Sequence, residues 1–209
     1  VWPERKGSSM IEKHQFYING QWVAPKQGTK LEVIDPSTEE AFGSIMLGGE
    51  ADTDAAVAAA KAAFPAWAAT PPAERLELVK RIRDIYKRRM EEMAATISQE
   101  MGAPIDMANQ QQAPAGLGHI SAFIKAAEKF EFIRPLGDHA PDDRIVMDPV
   151  GVVGMITPWN WPMNQVTLKV IPALLTGCTM VLKPSEIAPL NALLFAEILD
   201  EAGVPAGVF

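Results

Sequence analysis

Two short apolar runs, one helix length apart, set the limits on what this chain can become. Residues 150–156 read VGVVGMI and residues 179–182 read TMVL. Neither alternates between apolar and polar, so each fits a strand covered on both faces, the usual environment in a parallel sheet. Residues 163–175 between them carry a helical pattern despite Pro172. Residues 188–202 carry another, with Leu190, Leu194 and Ile198 four apart and Gly203 as the stop. Val208-Phe209 reads as the beginning of a third strand. The order β-α-β-α predicts an α/β fold containing most of one mononucleotide-binding half of a doubly wound parallel sheet.

Upstream the pattern differs. Residues 15–23 contain FYINGQWV, and an Asn-Gly pair between β-favouring runs predicts a hairpin whose central residues take positive φ. Further strands are expected near Leu31–Ile34, stopped by Asp35-Pro36, and over 41–47. The alanine-rich stretch 53–64 predicts a helix capped by Asp52. Thr70-Pro71-Pro72 starts another, expected to run to about Gln99. In it Leu78, Ile82, Tyr86, Met90, Met93 and Ile97 form one buried stripe, while Arg81, Arg83, Asp84, Lys87 and Arg88 form a solvated face. Gly102 and Pro104 punctuate the chain before a helix over 115–130. Residues 135–143, with two prolines, a glycine and three aspartates, read as a loop, followed by an exposed strand over 144–148. Residues 1–9 resemble an extension or tag and are set apart from the fold, with Met10 as a natural start.

Composition narrows the function. The net charge of −7 argues against a nucleic-acid surface, but one lysine or one helix N-terminus can still hold a phosphate. The single cysteine, Cys178, excludes an internal disulfide and a cysteine-based zinc site. His14, His119 and His139 lie too far apart for metal-ligand spacing, so no metal is expected. One free thiol fits a reducing compartment, hence a cytoplasmic location. No apolar run approaches the roughly 20 residues needed to cross a bilayer.

Ligands of open α/β sheets sit beyond the carboxyl ends of the strands, and two loops occupy that position. The first, Thr157–Pro162, reads TPWNWP. A rigidly held Asn160 amide can donate to a developing oxyanion. The alternative is a proline turn whose tryptophans cap the core. The second, Lys183–Ala188, begins KPSE. Lys183 emerges from a strand with three donors for ribose hydroxyls or phosphate, and Glu186 can accept from both hydroxyls of a ribose. Its alternative is a surface Lys–Glu pair with a helix starting at Ser185. Two other features read as structural. Gly116-Leu117-Gly118 has Ser121 where a dinucleotide fingerprint needs a small third residue, and no strand precedes it. Cys178 lies in an apolar setting between helix and strand, which suits a packed thiol better than a nucleophile.

Residues 149–209, with ITPWN and LKPSE in strand–loop contexts, strongly resemble the aldehyde dehydrogenase superfamily. FYINGQW, the DPSTEE of 35–40 and the helix ending in FPAW at 64–67 extend the resemblance over 15–209. The resemblance implies an incomplete Rossmann-like sheet with an N-terminal β/helical region, 10–209 being the N-terminal part of the cofactor-binding domain. It implies oxidation of an aldehyde to a carboxylic acid: a cysteine thiolate attacks, hydride passes to the nicotinamide, and a glutamate-activated water releases the acid. By motif, Asn160 is the oxyanion donor. Ile156, Thr157, Pro158 and Trp159 line the cofactor cleft; Lys183 and Glu186 hold the adenosine ribose, with Pro184 and Ser185 shaping that contact. Lys169 matches a supporting position. A carboxylate at Glu186 repels a 2′-phosphate, which favours NAD over NADP.

The family's nucleophilic cysteine, general-base glutamate, glycine-bearing cofactor turn and catalytic domain have no counterpart in 1–209. The isolated chain is therefore expected to be inactive, with an exposed sheet edge and poor solubility. A homo-oligomer is expected for the full-length protein, with 135–149 as an interdomain or oligomerisation strand region. Two alternatives are a CoA-acylating relative and a non-catalytic dinucleotide-binding or assembly module. The partner expected is a small-molecule aldehyde, with neither nucleic acid nor membrane. Met163, Asn164 and Thr167 are candidate walls of its funnel.

Overall fold

A computed structural model describes residues 10–209. The extension read at 1–9 lies outside the described residues. The chain opens with β1 (Ile11–Lys13), then β2 (Phe16–Ile18) and β3 (Gln21–Val23), which form the expected hairpin around Asn19 and Gly20 at φ 55° and 71°. A Cβ on Gly20 would come within 3.0 Å of the Ala206 side chain, so the turn also packs on the far end of the chain. β4 (Gly28–Asp35) and β5 (Glu40–Gly48) pair antiparallel, and β1 joins β5 in parallel. Both long strands exceed the expected ranges. The turn between them is held by Asp35, whose carboxylate accepts from the Ser37 N–H at 2.8 Å and the Ser37 hydroxyl at 2.5 Å.

Helix α1 (Glu50–Ala69) starts earlier than expected, with Gly49 as N-cap. Asp52 is therefore not the cap but the third helical residue. Its carboxylate reaches back to the Gly49 N–H at 3.0 Å and also accepts from the Lys26 N–H at 2.7 Å. These donors, Lys26 first, hold its carboxyl below the usual carboxylate range.

The single helix expected over 72–99 is two, α2 (Pro72–Arg88) and α3 (Met90–Met101). Arg89 separates them at φ −97° and ψ 13°, and its guanidinium bonds to Glu92 and Glu197. The apolar stripe stays in phase across the break, which is why periodicity does not reveal it. Gly102 ends α3 in the left-handed region at φ 81°. After the short α4 (Ile105–Met107), residues 108–112 form a π-helical turn that leads into α5 (Ala113–Ala127). Pro114 explains the widened turn: in a regular α-helix its ring would meet the Gln110 carbonyl.

Residues 135–143 are not a loop. β6 (Ile133–Gly137) and β7 (Ala140–Val146) form an antiparallel hairpin turning at Asp138-His139, so the strand expected at 144–148 begins earlier. The prolines fit because they stand in a two-stranded ribbon, where half of the backbone groups have no ladder partner. The ribbon and its exit expose Ile133, Leu136, Val146 and Met147, and Val150 is 89% exposed.

The remainder follows the predicted order: β8 (Val152–Ile156), α6 (Pro162–Thr176), β9 (Thr179–Lys183) and α7 (Leu190–Glu201). β8 and β9 pair in parallel. β8 is not covered on both faces as expected: Gly154 and Ile156 are exposed, Ile156 to 76%. Val208-Phe209 is not a strand; residues 206–208 turn, and the Val208 carbonyl accepts the Met180 N–H at 2.9 Å.

The main core lies among α2, α3, α5, α6 and α7, with Ile82, Tyr86, Met93, Ile97, Ile120, Leu174, Phe195 and Ile198 fully buried. Burial of each such side chain contributes roughly 1.5–3 kcal/mol. Tyr86 meets Phe195 edge-on at 6.2 Å and donates to the Ala113 carbonyl at 2.8 Å. A Cβ on Gly116 would overlap the Tyr86 hydroxyl, so this glycine serves helix packing. Cys178 is 4% exposed and part of the same core. Arg75 is equally buried, and its guanidinium donates to the Leu175 carbonyl at 3.0 Å and the Thr70 carbonyl at 2.6 Å. It thus satisfies the C-terminal ends of α6 and α1, where a cation also meets the negative end of each helix.

Candidate active site

The β8–β9 register fixes the geometry of the candidate site. Ile156 is the Cα partner of Lys183, so both strands reach their carboxyl ends together. Beyond them the Thr157 N–H donates to the Lys183 carbonyl at 3.3 Å. Residues 156–160 and 183–186 therefore leave the sheet side by side, at the edge where the N-termini of α6 and α7 also lie.

In the first loop, Thr157 is buried while Pro158, Trp159 and Asn160 are exposed. Trp161 is half-buried, and its carbonyl receives the Gln165 N–H as α6 begins. Pro162 is the first residue of α6, where a missing N–H costs nothing. Asn160 is thus exposed and held between Pro158 and Pro162, two residues before α6 begins.

In the second loop, Lys183 donates to Glu186 at 2.5 Å. Both side chains are exposed, and the ammonium holds the Glu186 carboxyl below the usual carboxylate range. Ser185 does not start a helix; its hydroxyl accepts the Ile187 N–H at 3.2 Å, and α7 begins only at Leu190. Pro184 and Ser185 are half-buried. Of the structural alternative for this loop, the Lys–Glu pair exists, at the carboxyl end of β9, and the helix start at Ser185 does not.

Two groups near these loops were not singled out from sequence. His119 on α5 bonds through Nε2 to the Asn164 side-chain Oδ1 at 2.7 Å, one turn into α6 from the Asn160 loop. Glu100 on α3, 2% exposed, receives the first N–H groups of α7: Leu190 at 2.6 Å and Asn191 at 2.8 Å. Its spacing was a usable signal, because Met93, Ile97 and Glu100 follow one another at four and three residues on the apolar stripe. A carboxylate in that phase needs internal donors. Burial pushes Glu100 up to about 7, against the opposing pull of its donors. Among the described residues, Lys169 bonds to Gln165 on its own helix. Met163 and Thr167 are buried, which leaves Asn164 alone of the three proposed funnel residues in partial contact with solvent.

Among the described residues, no group of His, Cys, Asp and Glu could hold a metal ion, and no helix is long and apolar enough to cross a membrane.

Known proteins resemble this arrangement throughout. The family model described as "Aldehyde dehydrogenase family" matches residues 22–209. A 3-succinoylsemialdehyde-pyridine dehydrogenase from a Pseudomonas species is 49% identical over 201 residues, covering 96% of this chain and 41% of its own length. The crystal structure of an aldehyde dehydrogenase from Bartonella henselae superimposes with a TM-score of 0.94 at 60% identity, covering 96% of this chain and 42% of that one. Aldehyde dehydrogenase C of Pseudomonas syringae, a mutant in complex with NAD+ and octanal, gives a TM-score of 0.91 at 43% identity, with 97% and 41% covered. The chain thus spans about two fifths of the length of the relatives it matches. With a family match over 22–209 and these likenesses across an α/β fold that ends in a partial sheet, the chain belongs to the aldehyde dehydrogenase family.

Proposed function

We propose that this chain is the N-terminal part of an NAD-dependent dehydrogenase that oxidises a small-molecule aldehyde to a carboxylic acid. The observation that carries the reading is the Ile156–Lys183 register pair, which brings the loops at 157–160 and 183–186 to one strand edge. The residues there fit a dinucleotide. Lys183 and Glu186 offer donors and an acceptor for the adenosine ribose, with Pro184 and Ser185 shaping the contact, and the exposed Ile156 and Trp159 offer apolar surface beside Thr157 and Pro158. The solved relatives from Pseudomonas syringae and Mycobacterium tuberculosis are complexes with NAD+. NAD, when bound, supplies the hydride acceptor.

The chain's own residues act before and around that step. Asn160 donates a hydrogen bond from its amide N–H to the aldehyde oxygen as negative charge builds on it, and two flanking prolines spare the reorganisation a flexible loop would need. Lys183 and Glu186 fix the far end of the dinucleotide by its ribose. Negative charge at Glu186 opposes a 2′-phosphate and so selects NAD over NADP. Cys178, packed in the core, takes no part. The nucleophile and the general base come from outside this chain, which alone turns over no aldehyde. The exposed apolar side chains of β6 and β7 are the contact for assembly of the full-length protein into a homo-oligomer. The test is NADH formation at 340 nm by the full-length protein with a panel of aldehydes, alongside residues 1–209 alone. Turnover by the first and none by the second is expected. Turnover by 1–209, or none by the full-length protein with any aldehyde, contradicts the reading.

A further inference from the structure

We infer that Glu100 is a positioning residue for the loop that carries Lys183 and Glu186, acting through Asn191 and the start of α7. The inference rests on the dinucleotide reading of that loop. Glu100 Oε2 accepts the Leu190 N–H at 2.6 Å, and Oε1 accepts both the Asn191 N–H at 2.8 Å and the Asn191 Nδ2 at 2.6 Å. The same Nδ2 donates to the Ala188 carbonyl at 2.7 Å. Glu100, Asn191 and Ala188 therefore form one buried chain of bonds that runs from α3 into the end of the loop.

A helix start is ordinarily capped by the residue just before it. Here that residue is Pro189, whose side chain cannot accept a hydrogen bond, and the acceptor comes from ninety residues earlier. The difference matters for the loop. A local cap would travel with the loop, whereas Glu100 fixes its end relative to the helical core. The other end is fixed by the β9 ladder and by the Thr157 bond to Lys183. Residues 184–189 are thus pinned at both ends, while the Lys183 and Glu186 side chains between and beside the pins stay exposed. A buried carboxylate without a cationic partner is costly, and the three donors with the positive end of α7 offset that cost. Glu100 touches no ligand; it sets where Lys183 and Glu186 stand.

The test measures AMP binding to the full-length protein at pH 8 by calorimetry for wild type, Glu100→Gln, Lys183→Ala and the double variant. In Glu100→Gln an amide nitrogen replaces one accepting oxygen, so the α7 start loses an acceptor. Each single variant is expected to weaken AMP binding about tenfold, and the double variant no more than either alone, because both act on one contact. A residue that only stabilises the fold would lower the melting temperature and leave the affinity of the folded chain unchanged. Should Glu100→Gln fail to fold, Asn191→Ala, which removes the Nδ2 bonds to Glu100 and Ala188 and keeps both backbone donors to Glu100, is expected to weaken AMP binding in the same way. Wild-type affinity in the folded variant, or additive losses in the double variant, overturns the inference while leaving the nucleotide reading intact. No AMP binding by the wild-type chain overturns both.

Discussion

Ile156 and Lys183 are register partners in adjacent parallel strands, so the apolar run and the lysine that follow from sequence end at one level of the sheet. The donor at 157 that meets the 183 carbonyl extends the pairing one step past the ladder. An amide held by prolines and a lysine–carboxylate pair consequently share one edge.

Asn160→Ala in the full-length protein is expected to lower kcat by about 10²–10³, the scale for one oxyanion donor. KM should change little, because the bond strengthens only as charge develops. Steady-state kinetics checks this, and an unchanged kcat removes Asn160 from the mechanism.

Glu186→Gln removes the charge that opposes a 2′-phosphate. The ratio of kcat/KM with NADP to that with NAD is expected to rise about tenfold, equivalent to ~1.4 kcal/mol. Parallel assays with both cofactors measure it; a constant ratio assigns the preference elsewhere.

Arg75→Met leaves the Leu175 and Thr70 carbonyls without their donor at the ends of two helices. A loss of about 2–3 kcal/mol is expected, as for hydrogen bonds to a charged group. Urea unfolding of residues 1–209 reads it, and a change below about 0.5 kcal/mol, the scale of ordinary surface substitutions, contradicts the capping role.

Glu100 gives stability a pH slope of a definite sign. Its folded-state value is raised from 4.5 to about 7 by burial, so between those values the unfolded chain binds fewer protons than the folded one. Stability from this group is therefore fully present below pH 4.5 and declines as pH rises through 7. Thermal melts from pH 5 to 8 should show the decline in wild type and a flatter profile in Glu100→Gln. Equal slopes would mean that the donors, not burial, dominate.

Much of this was legible in the sequence because local chemistry decided it. Asn19-Gly20 forced the hairpin, Gly203 stopped α7, and the runs at 150–156 and 179–182 gave the parallel pair. What escaped depended on distant partners. Arg89 breaks the helix while its guanidinium reaches Glu197, 108 residues on, a partner the local sequence does not signal. The ribbon at 133–146 was hidden by its prolines and aspartates, which turn chemistry and edge strands share. Coverage of both faces of β8 was inferred from apolar content, but Gly154 and Ile156 stand exposed in this chain. At the site, the loops and their side chains were readable from strand ends and motifs. Glu100 was readable only by asking why a carboxylate falls in phase with Met93 and Ile97.

The most direct test of the shared edge is a titration of ¹⁵N-labelled residues 1–209 with NAD, followed amide by amide. The largest shifts are expected at the amides of Ile156, Thr157, Trp159 and Asn160 together with those of Lys183, Ser185, Glu186 and Ile187, with Lys183→Ala reducing both sets. Shifts confined to one loop, or clustered away from the carboxyl ends of β8 and β9, would contradict a single site built from both.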